Sequence, residues 1–356
     1  AADGEAEHVY DGWRYPADWV VEAYSLEGPK HMVRDGWHYL VSAVGGTAGP
    51  ATGHMIIVAR SRSIHGPWQN MPANPLLRCT DAAQPWHSRG HGTLFEGPGG
   101  QWYVIYHAYE RGAQGLGRQI LLEPVEWTED GWPAARGGDL ADPLPLPGGG
   151  TGVRPHGFAL SDDFASPSWG WRWTFDRPGP DETARADFSG EGLVLAGKGA
   201  DPSTSSPMCL RAPDRSYRVE VGVELLPAQD DGAGDAGAGD AEASAGLLLF
   251  FNHRLFLGLE VRPGALQAWT GGTRTWGGEP LSEDVRALEL AIVKRENIVD
   301  MHYRVPGAEE WTHYPLTLEC SGYHANTVND LVSLRPAVFA AGDGRARLTR
   351  LRYRAL

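Results

Sequence analysis

The sequence predicts an all-β protein with two parts, an incomplete β-propeller followed by a β-sandwich. Short runs of β-branched and aromatic residues recur along its 356 residues, for example at residues 55–59 and 102–106. Its 47 glycines and 26 prolines indicate the many turns that short antiparallel strands require. This length allows two domains, each large enough to bury its own core.

The propeller prediction rests on an internal repeat between residues 27 and 133. A glycine turn, an aromatic-rich strand, a polar loop, a second strand and a turn containing Gly, Pro and Trp occur twice in that order. The equivalent strands at His38 and Trp102 are 64 residues apart, which is about the span of one four-stranded blade with its loops. We therefore predict that residues 1–135 contain two propeller blades.

The second part begins after a segment rich in glycine and proline. Residues 136–160 lack the apolar side chains needed for a core, so we predict a linker there. Short alternating strands resume at residue 161 and continue to residue 356, at the spacing typical of a β-sandwich. Residues 228–245 are almost wholly Ala, Gly, Asp and Glu, which predicts a disordered loop between two strands.

Composition excludes several classes of function. The formal net charge of −14 argues against nucleic acid and anionic membrane surfaces, which are bound mainly through Lys and Arg. No run of about 18 apolar residues is present, so we expect no membrane span. The 14 Trp and 12 Tyr suit either a core or stacking on sugar faces, and core packing is the simpler interpretation for any single ring.

Three observations bear on the compartment and on the completeness of the chain. The three cysteines are widely spaced and odd in number, which favours a reducing compartment over a disulfide framework. Residues 1–5 lack the basic and apolar regions of a signal peptide, so a cytoplasmic location is favoured over secretion. The first residue is not Met, and we expect the numbering to begin inside a longer gene product.

The strongest local feature for chemistry is Glu27, which precedes a Gly28-Pro29 turn and a predicted strand beginning at Met32. A carboxyl group at the end of a strand and facing a cavity is suited to general acid catalysis, because partial burial favours its protonated form. From the residues alone, an ordinary solvated turn glutamate is the simpler interpretation.

An ordered set of motifs resembles glycoside hydrolase family 43. The set comprises residues 10–16, the turn at Glu27, residues 59–68, residues 90–92, residues 116–118, residues 124–127 and residues 130–133. That family contains β-xylosidases and α-L-arabinofuranosidases built on a five-bladed propeller. Residues 321–324 and 333–336 resemble the concanavalin-like β-sandwich appended in many members. The resemblance implies that residues 1–135 are the C-terminal blades of such a propeller.

The resemblance also implies roles for individual residues. Glu27 matches the general acid, His91 a histidine beneath the sugar site that sometimes helps to hold an ion through water, and Arg118 a cationic contact to the sugar. Thr47 lies in a loop that matches the border of the pocket. Without the resemblance, His91 is more simply a core imidazole, Arg118 a surface cation and the Thr47 loop a plain turn. The family implies no required cofactor, and a structural Ca²⁺ in the propeller channel is a further expectation.

The resemblance predicts an exo-acting, inverting hydrolase that releases xylose or arabinose from pentose-containing oligosaccharides. Inversion needs a second carboxylate as base, and in the family pattern it precedes the acid. Asp3, Asp11, Asp18 and Glu22 precede Glu27 without matching that context. We therefore expect an additional polypeptide to supply the N-terminal blades and the base. The alternatives are a non-catalytic carbohydrate-binding or scaffold protein and a sandwich lectin with a vestigial propeller.

Overall fold

The computed structural model describes residues 4–135, 140, 156–226 and 242–356. Residues 136–139 and 141–155 of the predicted linker lie outside the described part of the chain, as do residues 228–241 of the predicted loop. The end of that loop differs from the prediction, because a strand begins at Ser244. The chain divides into two compact units, the first formed by Ala1–Gly112 with Arg118–Pro155 and the second by Ala113–Gly117 with His156–Leu356.

Two antiparallel sheets form the first unit, and each corresponds to one predicted repeat. The first sheet has the order β1 (Glu27–Arg34), β2 (Trp37–Val44), β3 (Met55–Ser61), β4 (Gln69–Asn70), and β5 (Leu77–Arg78) also pairs with β3. The second sheet has the order β6 (Trp86–Glu96), β7 (Trp102–Glu110), β8 (Gln119–Trp127), β9 (Pro133–Ala135). A single turn of 3₁₀ helix occurs at Pro98–Gly100, and a second one, at Gln114–Leu116 between β7 and β8 in the chain, belongs to the second unit.

A hydrophobic core lies between these two sheets. Val41, Ile56 and Val58 of the first sheet pack with Val104 and Tyr106 of the second, and all five are buried. Alternate residues of a strand point to opposite faces, so each sheet contributes one face to this core.

The opposite face of the first sheet is covered by the segment that precedes β1. Val44, Met55 and Ile57 are fully buried there. The residues that pack against them are mostly aromatic: Tyr10, Trp13, Tyr15, Trp19, Val21, Tyr24 and Leu26. This accounts for the aromatic run near residue 13 as packing.

Part of the opposite face of the second sheet is exposed, although Tyr103 and Tyr109 on that face are buried. Ile105 pairs in register with Leu122, and Ile120 pairs with His107, so these side chains share one face. Phe95, Ile105 and Ile120 are 37%, 37% and 76% exposed. Within the described residues this face therefore presents an apolar surface to solvent.

Two larger antiparallel sheets form the second unit. The eight-stranded sheet has the order β10 (Trp173–Phe175), β13 (Met208–Leu210), β23 (Arg335–Ala341), β15 (Ser244–Asn252), β16 (Leu255–Arg262), β17 (Ala265–Thr270), β18 (Thr273–Arg274), with β19 (Glu279–Pro280) also on β17. The seven-stranded sheet has the order β11 (Ala186–Gly190), β12 (Gly192–Ala196), β24 (Arg345–Ala355), β14 (Tyr217–Leu226), β20 (Ala287–Arg295), β21 (Ile298–Arg304), β22 (Thr312–Glu319). Helices are short, with a 3₁₀ turn at Glu182–Arg185 and α1 at Ala325–Val328.

The two sheets of the second unit share one core. In β14, Val219, Val221 and Val223 are buried and alternate with Glu220 and other partly exposed residues, as expected for a strand with one face against a core. The buried residues of β14 join one cluster with those of the eight-stranded sheet, including Leu247 and Leu257. No helix among the described residues has the length and apolar character needed to cross a membrane.

Candidate active site

Glu27 is the first residue of β1, and a bulge follows it. Glu27 pairs with Ala43 of β2 and Lys30 pairs with Val41, so one extra residue separates the two pairs on β1. Gly28 within the bulge has φ +59°, and a Cβ at this position would lie 2.7 Å from Cδ2 of His91. Only glycine meets both requirements, and the bulge directs Glu27 away from the regular strand.

His91 is held by a break in the regular pairing of β6. It has φ +55°, and the register with β7 shifts on either side of Gly90. A Cβ at Gly90 would lie 1.8 Å from the His54 ring, and one at Gly92 would lie 2.6 Å from Cδ1 of Ile56. The Gly-His-Gly motif therefore allows the side chains of His54 and Ile56 to approach the backbone of β6. Nε2 of His91 lies 3.7 Å from Oε1 of Glu27.

Two further histidines meet His91. Nε2 of His54, which precedes β3, lies 3.2 Å from Nδ1 of His91. Nε2 of His107 on β7 lies 3.2 Å from the same atom. Nδ1 of His54 is hydrogen-bonded to the carbonyl oxygen of Gly45. Sequence reasoning missed both residues, although the pairing of His107 with Gly90 offered a signal once β6 and β7 were aligned.

The three imidazoles are neutral at pH 7. Burial lowers the pKa of His54 to about 4 and the pKa of His107 to about 3, and the charge of Arg118 acts in the same direction. Burial also lowers the pKa of His91, although the Glu27 carboxylate opposes that shift.

Arg118 and Thr47 lie at the same site. Arg118 directly precedes β8 and is exposed, and its charge acts on all three histidines. Burial raises the pKa of Tyr109 on β7, while Arg118 and the Thr47 hydroxyl lower it. Thr47 and Tyr109 are therefore neighbours, although neither hydroxyl completes a well-formed hydrogen bond. The structure thus brings Glu27, Thr47, His91 and Arg118 together.

The carboxylates that precede Glu27 have other surroundings. Glu7, which sequence reasoning did not weigh, has Oε2 2.7 Å from Nδ1 of His65. Asp11 pairs with His8 at 3.3 Å. Glu22 lies against the glycine-rich loop that carries Thr47, where a Cβ at Gly46 would be 1.7 Å from its Oε1. Burial raises the pKa of Glu22.

Comparison with known proteins gives a family for this site. Residues 1–133 match the family model described as glycosyl hydrolases family 43. The non-reducing end alpha-L-arabinofuranosidase BoGH43B of Bacteroides ovatus is 32% identical over 163 residues, which are 43% of this chain and 29% of that protein. A putative beta-xylosidase of Escherichia coli K12 is 28% identical over 249 residues, which are 63% of this chain and 43% of that protein. The chain spans less than half the length of these two relatives.

Solved structures resemble the whole chain in fold. The GH43 BlXynB protein of Bacillus licheniformis has a TM-score of 0.80 at 23% identity, covering 99% of this chain and 68% of that chain. A xylan beta-1,4-xylosidase of Bacillus halodurans C-125 has a TM-score of 0.79 at 22% identity, covering 97% of this chain and 66% of that chain. At these identities the likeness concerns the fold. The family model and the curated relatives thus show that residues 1–133 are similar to glycosyl hydrolases of family 43, and the solved structures show a likeness in fold over the rest of the chain.

Proposed function

We propose that this chain carries the acid-bearing part of an exo-acting, inverting glycoside hydrolase that releases xylose or arabinose from pentose-containing oligosaccharides. One observation carries the proposal: Glu27, Thr47, His91 and Arg118 converge on one site. The names of the relatives, an arabinofuranosidase and a putative xylosidase, support a pentose substrate.

In the proposed mechanism Glu27 is the general acid. Its side chain is 54% exposed, so it can reach a ligand at the end of β1. It donates its proton to the glycosidic oxygen as the bond to the leaving group breaks. His91, whose Nε2 lies 3.7 Å from Oε1 of Glu27, orients the carboxyl group. Arg118 supplies N–H donors and positive charge to the sugar hydroxyls, and Thr47 borders the sugar.

The general base is proposed to come from outside this chain. An inverting mechanism needs a second carboxylate about 6.5–9.5 Å from the acid, with room for the attacking water. Glu7 and Asp11 pair with histidines, and Glu22 lies against the Thr47 loop. These placements give each of them a different local role.

We further propose that the two sheets of the first unit are the C-terminal blades of a five-bladed propeller. An additional polypeptide would supply the N-terminal blades and cover the face formed by Phe95, Ile105 and Ile120. The exposure of these apolar side chains supports this arrangement, because such a face favours contact with another sheet. The second unit is proposed to be a concanavalin-like sandwich.

No cofactor enters the proposed chemistry. The expected structural Ca²⁺ does not fit the histidines at this site, because Ca²⁺ takes six to eight oxygen ligands. The convergent atoms here are imidazole nitrogens, and the Gly45 carbonyl oxygen is already bonded to His54. The proposed mechanism does not use this ion.

A cytoplasmic location remains part of the proposal. Cys79, Cys209 and Cys320 are all buried and free, which agrees with a reducing compartment. Fractionation of the native cells, followed by detection of the chain, tests this location.

The decisive experiment compares the chain alone with the chain co-expressed with the polypeptide encoded by the preceding gene segment. We expect hydrolysis of aryl β-xyloside or aryl α-arabinofuranoside only by the combination, with an inverted anomer as the first product seen by NMR. Binding of oligosaccharide without turnover by the combination would instead favour the non-catalytic alternative. Full activity of the chain alone would contradict the external base.

A further inference from the structure

The second unit carries a groove of about 480 Å³ on the outer face of its seven-stranded sheet. This face is the outer one, because Glu220, Gly222 and Glu224 of β14 line the groove and alternate with valines buried in the core. Strands β20 and β24 and the turn after β21 form the rest of the lining. The volume lies in the range of small-molecule sites, which is about 300–1,000 Å³. The proposed hydrolysis does not use this groove.

Two features of the backbone shape the groove. A Cβ at Gly222 would lie 2.3 Å from Oγ1 of Thr349, so no side chain fills the floor at this point of β14. A bulge in β24 lies opposite, because Glu220 pairs with Arg352 and Gly222 with Thr349, and β24 has one residue more than β14 between these two pairs. Arg350 within the bulge has φ +46°. The bulge therefore allows Thr349, Arg350 and Arg352 to line the same groove.

Strand β24 concentrates positive charge in a chain whose formal net charge is −14. The strand contains five arginines and no acidic residue. Two of these arginines, Arg350 and Arg352, are exposed and line the groove. Neither guanidinium forms a hydrogen bond or an ion pair with any residue that the structure describes. Both are therefore available to a ligand.

The acidic side chains of the groove do not cancel these two charges. Each of the three glutamates that line it is paired with an arginine other than Arg350 and Arg352. The pairs are Glu220 with Arg218, Glu224 with Arg347 at 2.6 Å, and Glu289 with Arg304 at 2.5 Å. Because these pairs balance one another, the groove has a net positive charge.

The lining indicates the chemistry of the ligand. The planar fork of a guanidinium matches a carboxylate, so Arg350 and Arg352 favour an acidic group. The Thr349 hydroxyl offers hydrogen bonds to sugar hydroxyls, and Ala287 and Pro306 add apolar surface for the C–H groups of a sugar ring. We propose that the groove binds an acidic oligosaccharide, with the carboxylate of a uronic acid residue at Arg350 and Arg352. The choice of a uronate over other carboxylates rests on the proposed function, whereas the positive groove does not.

The test is calorimetric titration of the full chain with a xylo-oligosaccharide that carries one glucuronic acid, and with the same oligosaccharide without it. We expect the acidic ligand to bind about 10-fold or more tightly than the neutral one, and its affinity to fall as the NaCl concentration rises. Equal affinities, no binding of the acidic ligand, or its displacement by an equal concentration of sulfate would overturn the proposal.

The same measurement separates this inference from the proposed function. If the chain co-expressed with the preceding polypeptide hydrolyses neutral substrate while the acidic ligand does not bind, the groove inference is wrong and the hydrolase proposal stands. If the acidic ligand binds and the combination hydrolyses nothing, the groove inference stands and the hydrolase proposal is wrong.

Variants then locate the carboxylate. Arg350→Gln and Arg352→Gln should each weaken binding of the acidic ligand by about 10-fold or more, with folding checked by circular dichroism. Arg354→Gln is the matched control, because it removes the same charge from β24 at an exposed position outside the groove, and it should bind as the wild type does. Arg118→Gln should also keep the preference for the acidic ligand. Loss of that preference in Arg118→Gln, with retention in both groove variants, would place the uronate at the candidate active site and overturn the proposal.

Discussion

Oε1 of Glu27 lies 3.7 Å from Nε2 of His91, and the two residues belong to different sheets. The contact depends on a bulge in β1 and on the left-handed backbone of His91 in β6. The proposed acid is thus positioned by a residue from the neighbouring sheet. Substitutions that disturb either backbone should displace the carboxyl group.

Glu27→Gln is expected to reduce turnover of substrates with poor leaving groups by about 100-fold or more, because it removes the proton donor and keeps the shape. Activated aryl glycosides should lose less, since their leaving groups need little protonation. The measurement is kcat/KM on both substrates with the assembled enzyme. Glu129→Gln, an exposed carboxyl group between β8 and β9, is the control and should change neither value. Equal small losses on both substrates would remove Glu27 from the acid role.

Gly28→Ala should disturb the site through two effects. Its φ of +59° disfavours alanine by about 1–2 kcal/mol, and the new Cβ would meet the His91 ring at 2.7 Å. Gly99→Ala is the matched control, because Gly99 has φ +82° and a Cβ added there would have no atom within 4 Å. Thermal unfolding should show a larger loss for Gly28→Ala, and only this variant should lose activity. Similar losses of thermal stability and activity in the two variants would show that the contact with His91 contributes to neither.

Sequence motifs predicted part of this site. Glu27 and His91 stand beside glycines whose backbone requirements are visible as sequence patterns, and Arg118 follows a glycine turn. His107 does not stand beside a glycine, and His54 follows Gly53 but belongs to none of the motifs recognised in the sequence. His54 reaches His91 and His107 through the conformation of the loop from Gly45 to Gly53, which local patterns do not determine.

How much of the fold could be predicted also depended on how far apart in the sequence the contacting residues lie. The all-β prediction is confirmed, because strand alternation and turn residues are local signals. The order of the strands was not predictable from them, since β14 lies beside β24 and β15 lies beside β23. These pairings join residues about a hundred positions apart, so no short segment specifies them.

Asp162 is a buried anchor near the start of the second unit. It accepts hydrogen bonds from Nε1 of Trp173 at 2.8 Å and from the backbone N–H of Phe164 at 2.9 Å, and it pairs with Arg172 at 2.8 Å. Asp162→Asn should cost about 2–3 kcal/mol, because it leaves the Arg172 charge without its partner. Asp163→Asn is the adjacent control, since Asp163 caps an exposed turn. Urea unfolding measures both variants, and equal stabilities would rule out the anchor role.

Glu182 should make the stability of the second unit depend on pH. Burial disfavours its charge, but Lys198 at 2.6 Å, the Gly179 N–H and Arg185 at 2.5 Å outweigh this and lower its pKa to about 2. Its folded pKa lies below its ordinary value of 4.5, so its contribution is complete above about pH 5 and disappears as the pH falls towards 2. The shift corresponds to about 3 kcal/mol.

The measurement for Glu182 is urea unfolding of the wild type and of Glu182→Gln at pH 7, 4 and 3. The difference between them should be largest at pH 7 and shrink with acidification. Glu283→Gln, an exposed glutamate, should follow the wild type throughout. A difference between Glu182→Gln and the wild type that stays constant with pH would show that the ion pairs do not stabilise the fold.

The exposed face of the second sheet should determine assembly with the proposed additional polypeptide. Ile105 and Ile120 lie on this face with Phe95, which is as exposed as Ile105. If another sheet packs there, burying a lysine at each position would cost several kcal/mol. The double variant Ile105→Lys with Ile120→Lys should therefore fail to co-purify with the preceding polypeptide, and the combination should lose activity. The chain alone should scatter less light, because its apolar face becomes charged.

Val33→Lys is the matched control, since Val33 is 58% exposed on β1 of the other sheet. It should keep both association and activity. Unchanged co-purification of the double variant would show that the proposed polypeptide does not pack against the second sheet through this face.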